Sequence, residues 1–127
     1  MIDHVSIGVR DVAAAKRFYD AALKPLGYAC LSDSPESLGY GSGTVALWIS
    51  ESRHPVPADE KSGLHFCFVA PTRESVRAFH KAALAAGGSD NGKPGVRADY
   101  GPDYYAAFVV GPEGYRLEAH CKRPAEG

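Results

Sequence analysis

The chain has 127 residues, enough for one domain with its own apolar core. A formal net charge of −1 leaves no basic excess of the kind that nucleic acid or an anionic membrane surface demands. No apolar run approaches the ~18 residues of a membrane span, and three cysteines with Cys67 inside an apolar stretch argue against a disulfide framework. Met1 runs directly into the first apolar alternation, with no room for a signal peptide, so a reducing, cytoplasmic location is expected.

From Ile2 to Val9 the residues alternate, with His4, Ser6 and Gly8 on one face and Val5, Ile7 and Val9 on the other. That period of two predicts a strand with one face on a core. Asp11 is placed to cap a helix whose inner face is Val12, Ala15, Phe18, Tyr19 and Ala22, and Pro25 with Gly27 closes it. Strands are predicted over 28–32, weakly over 38–40, and over 44–50, which makes the first half β-α-β-β-β. Residues 53–62 hold Pro55 and Pro57, have no periodicity, and read as a linker or a loop over a site.

The second half repeats the first. Residues 63–70 form a strand with His65 and Cys67 on one face and Leu64, Phe66 and Phe68 on the other. Thr72 caps a helix with Val76, Phe79, His80 and Ala83 inward, ending at Gly87-Gly88. A short strand is expected at 95–98 within a Gly- and Pro-rich stretch, then strands at 104–110 and 115–121 around the tight turn Gly111-Pro112-Glu113-Gly114. At an offset of 61 (65 − 4), His65 falls on His4, Phe79 on Phe18, Ala82-Ala83-Leu84 on Ala21-Ala22-Leu23, and Gly88 on Gly27. This is an internal repeat: a single domain over 1–127, with modules 1–52 and 63–123 joined by the linker 53–62.

The last strands of the two modules align at a different offset, which makes Trp48 and Glu118 counterparts. Four equivalent inward positions follow: His4, Trp48, His65 and Glu118. If the modules curl around one axis, two imidazoles and a carboxylate converge as a facial triad suited to Fe(II), Mn(II) or Zn(II), with positions left open for substrate or water. A single strand histidine is more often a packed or surface residue; three such side chains at equivalent repeat positions outweigh that reading.

These residues carry a family resemblance. Asp3-His4-Val5, Arg17-Phe18-Tyr19, Leu64-His65-Phe66 and the 111–114 turn before Arg116-Leu117-Glu118 resemble the vicinal oxygen chelate superfamily, which includes glyoxalase I, extradiol dioxygenases, fosfomycin-modifying transferases and bleomycin-resistance proteins. The resemblance covers essentially the whole chain. It implies an α+β fold of two βαβββ modules, a half-open mixed β-barrel around a central cleft, and often a homodimer. It further implies a divalent metal on His4, His65 and Glu118, acting on a small oxygen-chelating substrate as a metal-dependent lyase or dioxygenase. The alternative is a dimeric binding protein of the bleomycin-resistance kind, without metal catalysis. Glyoxalase I carries a carboxylate, and the epimerases an amide, where this chain has Trp48, whose indole nitrogen is a donor only; a glyoxalase I reaction is therefore disfavoured. The potassium loop of the fosfomycin transferases has no match in 99–103.

Other residues fill out the expected site. His120, two after Glu118, shares its face and is a candidate acid–base residue, and alternation turns one of Tyr104 and Tyr105 inward. Trp48 is expected as an apolar wall, Arg116 as a partner for an anionic substrate, and Cys67 and Ser6 as cleft lining beside the histidines. His80 is expected to pack or face solvent, and His54 to be exposed in the linker.

Overall fold

The computed structural model describes residues 1–125. The first module runs β1 (Val5–Val9), α1 (Val12–Leu23), β2 (Ala29–Asp33), β3 (Ser37–Ser42) and β4 (Thr44–Glu51). The second runs β5 (His65–Val69), α2 (Arg73–Ala85), β6 (Ser89–Val96), β7 (Tyr105–Val110) and β8 (Arg116–Cys121). Each module is a four-stranded mixed sheet, in order β1-β4-β3-β2 and β5-β8-β7-β6. The fold is α+β, as expected, and the sheets do not close into a barrel.

The helix ends obey the local chemistry of the sequence. Asp11 accepts from the Ala14 amide at 3.0 Å and so satisfies one of the unpaired amides at the start of α1. Thr72 and Ser75 form a reciprocal capping box on α2. At the far end of α1, Pro25 sits in a 3-10 turn (Lys24–Leu26) closed by Gly27 in the left-handed region. In the second module Gly87 takes the positive φ, and Gly88 is needed for space: a Cβ there would lie 2.9 Å from the Phe18 ring.

The ladder register bears out the repeat. Val5 pairs with Leu47 and Ser6 with Trp48; Phe66 pairs with Leu117 and Cys67 with Glu118. In both modules the first strand lies parallel to the last, and the other neighbours are antiparallel. The buried members of the strands, Ile7, Leu47, Ile49, Leu117 and Ala119 among them, join Phe18, Val76 and Phe79 in one core spanning both modules, and α1 and α2 touch. Truncating either fully buried phenylalanine would cost ~3–5 kcal/mol.

One strand differs from expectation. β6 begins six residues earlier than its predicted start at 95, with pairing to β7 broken at two irregularities between Asp90 and Gly95. Its Gly and Pro content reads as a loop. As an outer strand, β6 needs only one ladder, so Pro94 is tolerated there.

Tyrosines clasp the modules together. The Tyr115 hydroxyl donates to the Gly8 carbonyl and the Tyr28 hydroxyl to the Val69 carbonyl, each at 2.6 Å. Gly8 and Val69 are equivalent under the repeat, so each module bonds the same point of the other's outer first strand. Glu113 adds a third tie by accepting from the Arg10 and Asp11 amides. Among the described residues, no helix is long and apolar enough to cross a membrane.

Candidate functional site

Strand alternation in β8 sends Leu117, Ala119 and Cys121 into the core and Arg116, Glu118 and His120 to the opposite face. Glu118 is nonetheless only 4% exposed, because side chains from neighbouring elements close over it. Both its oxygens are engaged. His65 Nε2 lies 2.7 Å from Oε1, and the Tyr104 hydroxyl donates to Oε2 at 2.6 Å.

Around this carboxylate the site is aromatic. Phe108 stands opposite Glu118 on β7, with its ring 5.8 Å from that of His65. Tyr104 lies flat on His120, ring centroids 3.5 Å apart and planes 15° from parallel, and Tyr100 meets Tyr104 edge-on at 5.1 Å. His65, Tyr100, Tyr104, Phe108 and Glu118 line a cavity of about 620 Å³.

The electrostatics follow from burial beside a carboxylate. Burial first, and then the hydrogen bond and charge of Glu118, push the Tyr104 phenol up, so it remains a donor at neutral pH. Burial lowers His120, against the opposing pull of Glu118, and favours the neutral imidazole. Cys67, on the same rung as Glu118, has its thiol pushed up to about 12 by desolvation and by that carboxylate. Among the described residues, His120 Nε2 is buried without a hydrogen-bond partner.

The expected residues do not all meet. His65, Glu118, Tyr104 and His120 come together, with Cys67 beside them. His4 does not join them: its Nδ1 bonds Asp3 at 2.8 Å, and it lines a separate cleft of about 560 Å³ that it shares with His65, Cys67 and the apolar residues Phe66 and Phe68. Among the described residues, no group of three or more His, Cys, Asp or Glu side chains is gathered as for a metal ion. Within one chain, then, His4 stands apart from the His65–Glu118 pair. The repeat makes His4 and His65 equivalent on two different sheets, and equivalence does not bring them to one point.

Trp48 stands on the matching rung of the first sheet, over Gly39, outside the 620 Å³ cavity. Ser6 is its exposed ladder neighbour. Arg116 is spent on backbone, donating to the Gly114 carbonyl at 2.7 Å and the Ala58 carbonyl at 3.4 Å. Tyr105 turns away from Glu118 and packs under Arg73 and Arg77. His54 is exposed, as expected.

Phe108 and Tyr100 were not anticipated. Phe108 was legible in principle: the tight turn at 111–114 sets the β7–β8 register that places it opposite Glu118. His80, expected to pack or face solvent, is buried and bonded to Asp90 at 2.9 Å, which braces α2 against β6.

Two side chains of this chain, the His65 imidazole and the Glu118 carboxylate, are of the donor types that divalent cations take and lie side by side; a complete protein ligand set needs a donor from elsewhere.

Comparison with known proteins agrees with this architecture. The family model described as "Glyoxalase/Bleomycin resistance protein/Dioxygenase superfamily" matches residues 1–119. A crystal structure of a glyoxalase/bleomycin resistance protein from Albidiferax ferrireducens is 32% identical, covering 96% of this chain and 98% of that one, with a TM-score of 0.79. A glyoxalase/bleomycin resistance protein/dioxygenase family enzyme from Burkholderia phytofirmans is similar in fold at 22% identity, covering 96% and 98% of the two chains, with a TM-score of 0.72. So is a glyoxalase-related enzyme from Fulvimarina pelagi, at 18% identity, 95% and 87% coverage and a TM-score of 0.71. No curated protein matches the chain significantly.

Proposed function

Because this chain belongs to the Glyoxalase/Bleomycin resistance protein/Dioxygenase superfamily, we propose that it is a metal-dependent enzyme acting on a small oxygen-chelating substrate, as a lyase or dioxygenase, at a site built on Glu118. The observation that carries this reading is the buried Glu118 carboxylate with His65 Nε2 at 2.7 Å. A buried carboxylate costs free energy unless it is paired, and imidazole with carboxylate is the donor set of Fe(II), Mn(II) and Zn(II) sites. Such a cation supplies Lewis-acid polarisation of two substrate oxygens.

The chain's own residues would do the rest. His65 and Glu118 are two ligands. His4 is the third, delivered by a second copy in a homodimer, because it stands at the position equivalent to His65 and is exposed where a partner can reach it. Tyr104 holds the second oxygen of Glu118 and fixes the carboxylate's orientation. His120, neutral and beside Glu118, is the group placed to accept a proton. Trp48 and Ser6, on the sheet that leads into His4, would arrive with the second copy and wall the substrate beside Cys67. The three cysteines are free thiols, which supports a reducing compartment such as the cytoplasm.

A second reading has its own support. Both Glu118 oxygens already have protein donors, and the equivalent rung holds Trp48, so a metal-free dimer that binds an aromatic ligand is chemically coherent. Purification without chelators, followed by elemental analysis of the wild type, His65→Ala and Glu118→Ala, separates the two. Near-stoichiometric metal that is lost in both variants supports the enzyme. Protein that takes up none of Zn(II), Mn(II) or Fe(II), yet is stabilised by ligand, leaves the binding protein.

A further inference from the structure

The Tyr104 side chain satisfies the chemistry of a ligand. Its ring lies on the His120 imidazole at 3.5 Å, its hydroxyl bonds Glu118 at 2.6 Å, and it borders a cavity of about 620 Å³. We propose that Tyr104 is an internal occupant of the ligand site, and that the ligand is a planar ring bearing a hydrogen-bond donor, which displaces Tyr104 by replacing both its stack on His120 and its bond to Glu118. The inference rests on the reading of Glu118 as the anchoring carboxylate.

Three observations support it. First, His120 is 8% exposed and its Nε2 has no partner among the described residues. Native folds leave few buried polar atoms unpaired, and those few call for a functional reason. Second, the cover over His120 is local. Its ladder neighbours are small or turned to solvent: Ala106 on one side, and Val69 at 73% exposure on the other. The Tyr104 ring lies flat against its imidazole. Third, the Tyr104 backbone is pinned, its amide donating to Gly101 at 3.3 Å and its carbonyl accepting from Arg97 at 2.7 Å. Displacement is therefore a side-chain rotation about a fixed backbone. The entering ring gains what the phenol gave up, and a second polar group on it gains His120 Nε2.

The consequences are chemical. A ring without a donor cannot replace the bond to Glu118, and a donor without a ring cannot replace the stack. Tyr104→Phe keeps the stack and loses the bond, so the internal competitor weakens and an external ligand binds more tightly.

The test uses phenol, with benzene and cyclohexanol as controls, on the wild type, Tyr104→Phe and Glu118→Gln. Binding is read by the NMR shift of the His120 ring protons, which lie under the Tyr104 ring. The expected result is that phenol shifts the His120 signals and binds Tyr104→Phe about tenfold or more tightly than wild type. Benzene and cyclohexanol should bind far more weakly, and Glu118→Gln, which weakens the internal bond and the external one alike, should change phenol affinity far less than Tyr104→Phe does. Equal phenol affinity in wild type and Tyr104→Phe would overturn the proposal, as would cyclohexanol binding as well as phenol, or phenol binding without disturbing His120. Repeating the titration with Zn(II) separates the two readings. Zn(II) that fails to bind while phenol behaves as expected sinks the metal site alone; Zn(II) that binds while phenol does not displace Tyr104 sinks this inference alone.

Discussion

Trp48 and Glu118 occupy the same rung of two equivalent sheets, and the residue beside each has changed size to match. Trp48 lies between Ser6 and Gly39; Glu118 lies between Cys67 and Phe108. Where the rung carries the large indole its neighbour is glycine, and where it carries the smaller carboxylate its neighbour is phenylalanine. A Cβ on Gly39 would lie 2.8 Å from Trp48 Cζ3 and 2.9 Å from Val45 Cγ2. Gly39→Ala should therefore destabilise the fold by ~1–3 kcal/mol through overpacking. In the Trp48→Ala background the penalty should shrink measurably, since the nearest crowding atom is gone while the two Val45 methyls remain. Urea denaturation of the four proteins of this cycle checks it; equal penalties in both backgrounds would show that Trp48 is not what fills the space.

The separation of His4 from the His65–Glu118 pair leads to a mixing experiment. If a second copy delivers His4, then His4→Ala and Glu118→Ala damage opposite halves of each site, and a heterodimer of the two variants regains one intact site. Random reassortment should restore about a quarter of the wild-type sites. Metal content after mixing, unfolding and refolding measures it. A mixture as empty as its parents means that His4 and Glu118 do not serve one site across two copies.

How much of this could be read from the sequence depended on what kind of feature was at stake. Strand alternation, helix caps and the repeat are local or periodic, and the ladder pairs Ser6 with Trp48 and Cys67 with Glu118 as the repeat requires. Convergence is a different matter. The repeat fixes that His4 and His65 are equivalent, and says nothing of how one module is rotated against the other. Tyr104 shows the same limit from another side. Alternation turns one of two adjacent tyrosines inward, while which one reaches Glu118 depends on where the loop before β7 ends. His80 was read as a packed or solvated residue because its partner, Asp90, lies in a stretch that looked like loop and is in fact the start of β6.

Cys67 offers a pH-dependent readout of Glu118. Desolvation by its neighbours, then the negative carboxylate beside it, raise its thiol to about 12. The thiolate is the reactive species, so at pH 8 its fraction falls to roughly 10⁻⁴, against about a quarter for a thiol of ordinary pKa. The greater nucleophilicity of a high-pKa thiolate offsets part of this, leaving alkylation slower by about a hundredfold than for a free cysteine. Glu118→Gln removes the charge and should bring the thiol partway back, raising the rate at fixed pH. Timed iodoacetamide labelling, resolved by mass spectrometry, follows Cys67 apart from Cys30 and Cys121. Labelling of Cys67 at the free-cysteine rate would mean that the carboxylate does not govern it.

The His80–Asp90 bond makes a small contribution to the acid limb of stability. The Asp90 carboxyl is held below its ordinary value of 3.8, chiefly by the hydrogen bond from His80 and secondly by the Gly92 amide. A carboxyl lowered on folding stabilises the native state above its unfolded value, and the contribution disappears as pH falls through the lower, folded value. Wild type should therefore be more stable than Asp90→Asn at neutral pH, with the difference closing below about pH 4. The exposed edge position of Asp90 keeps the effect small, and salt should reduce it further. Thermal unfolding of both proteins between pH 2 and pH 7 measures the closing gap. A difference that stays constant across that range would assign the loss to packing of the asparagine rather than to the charge on Asp90.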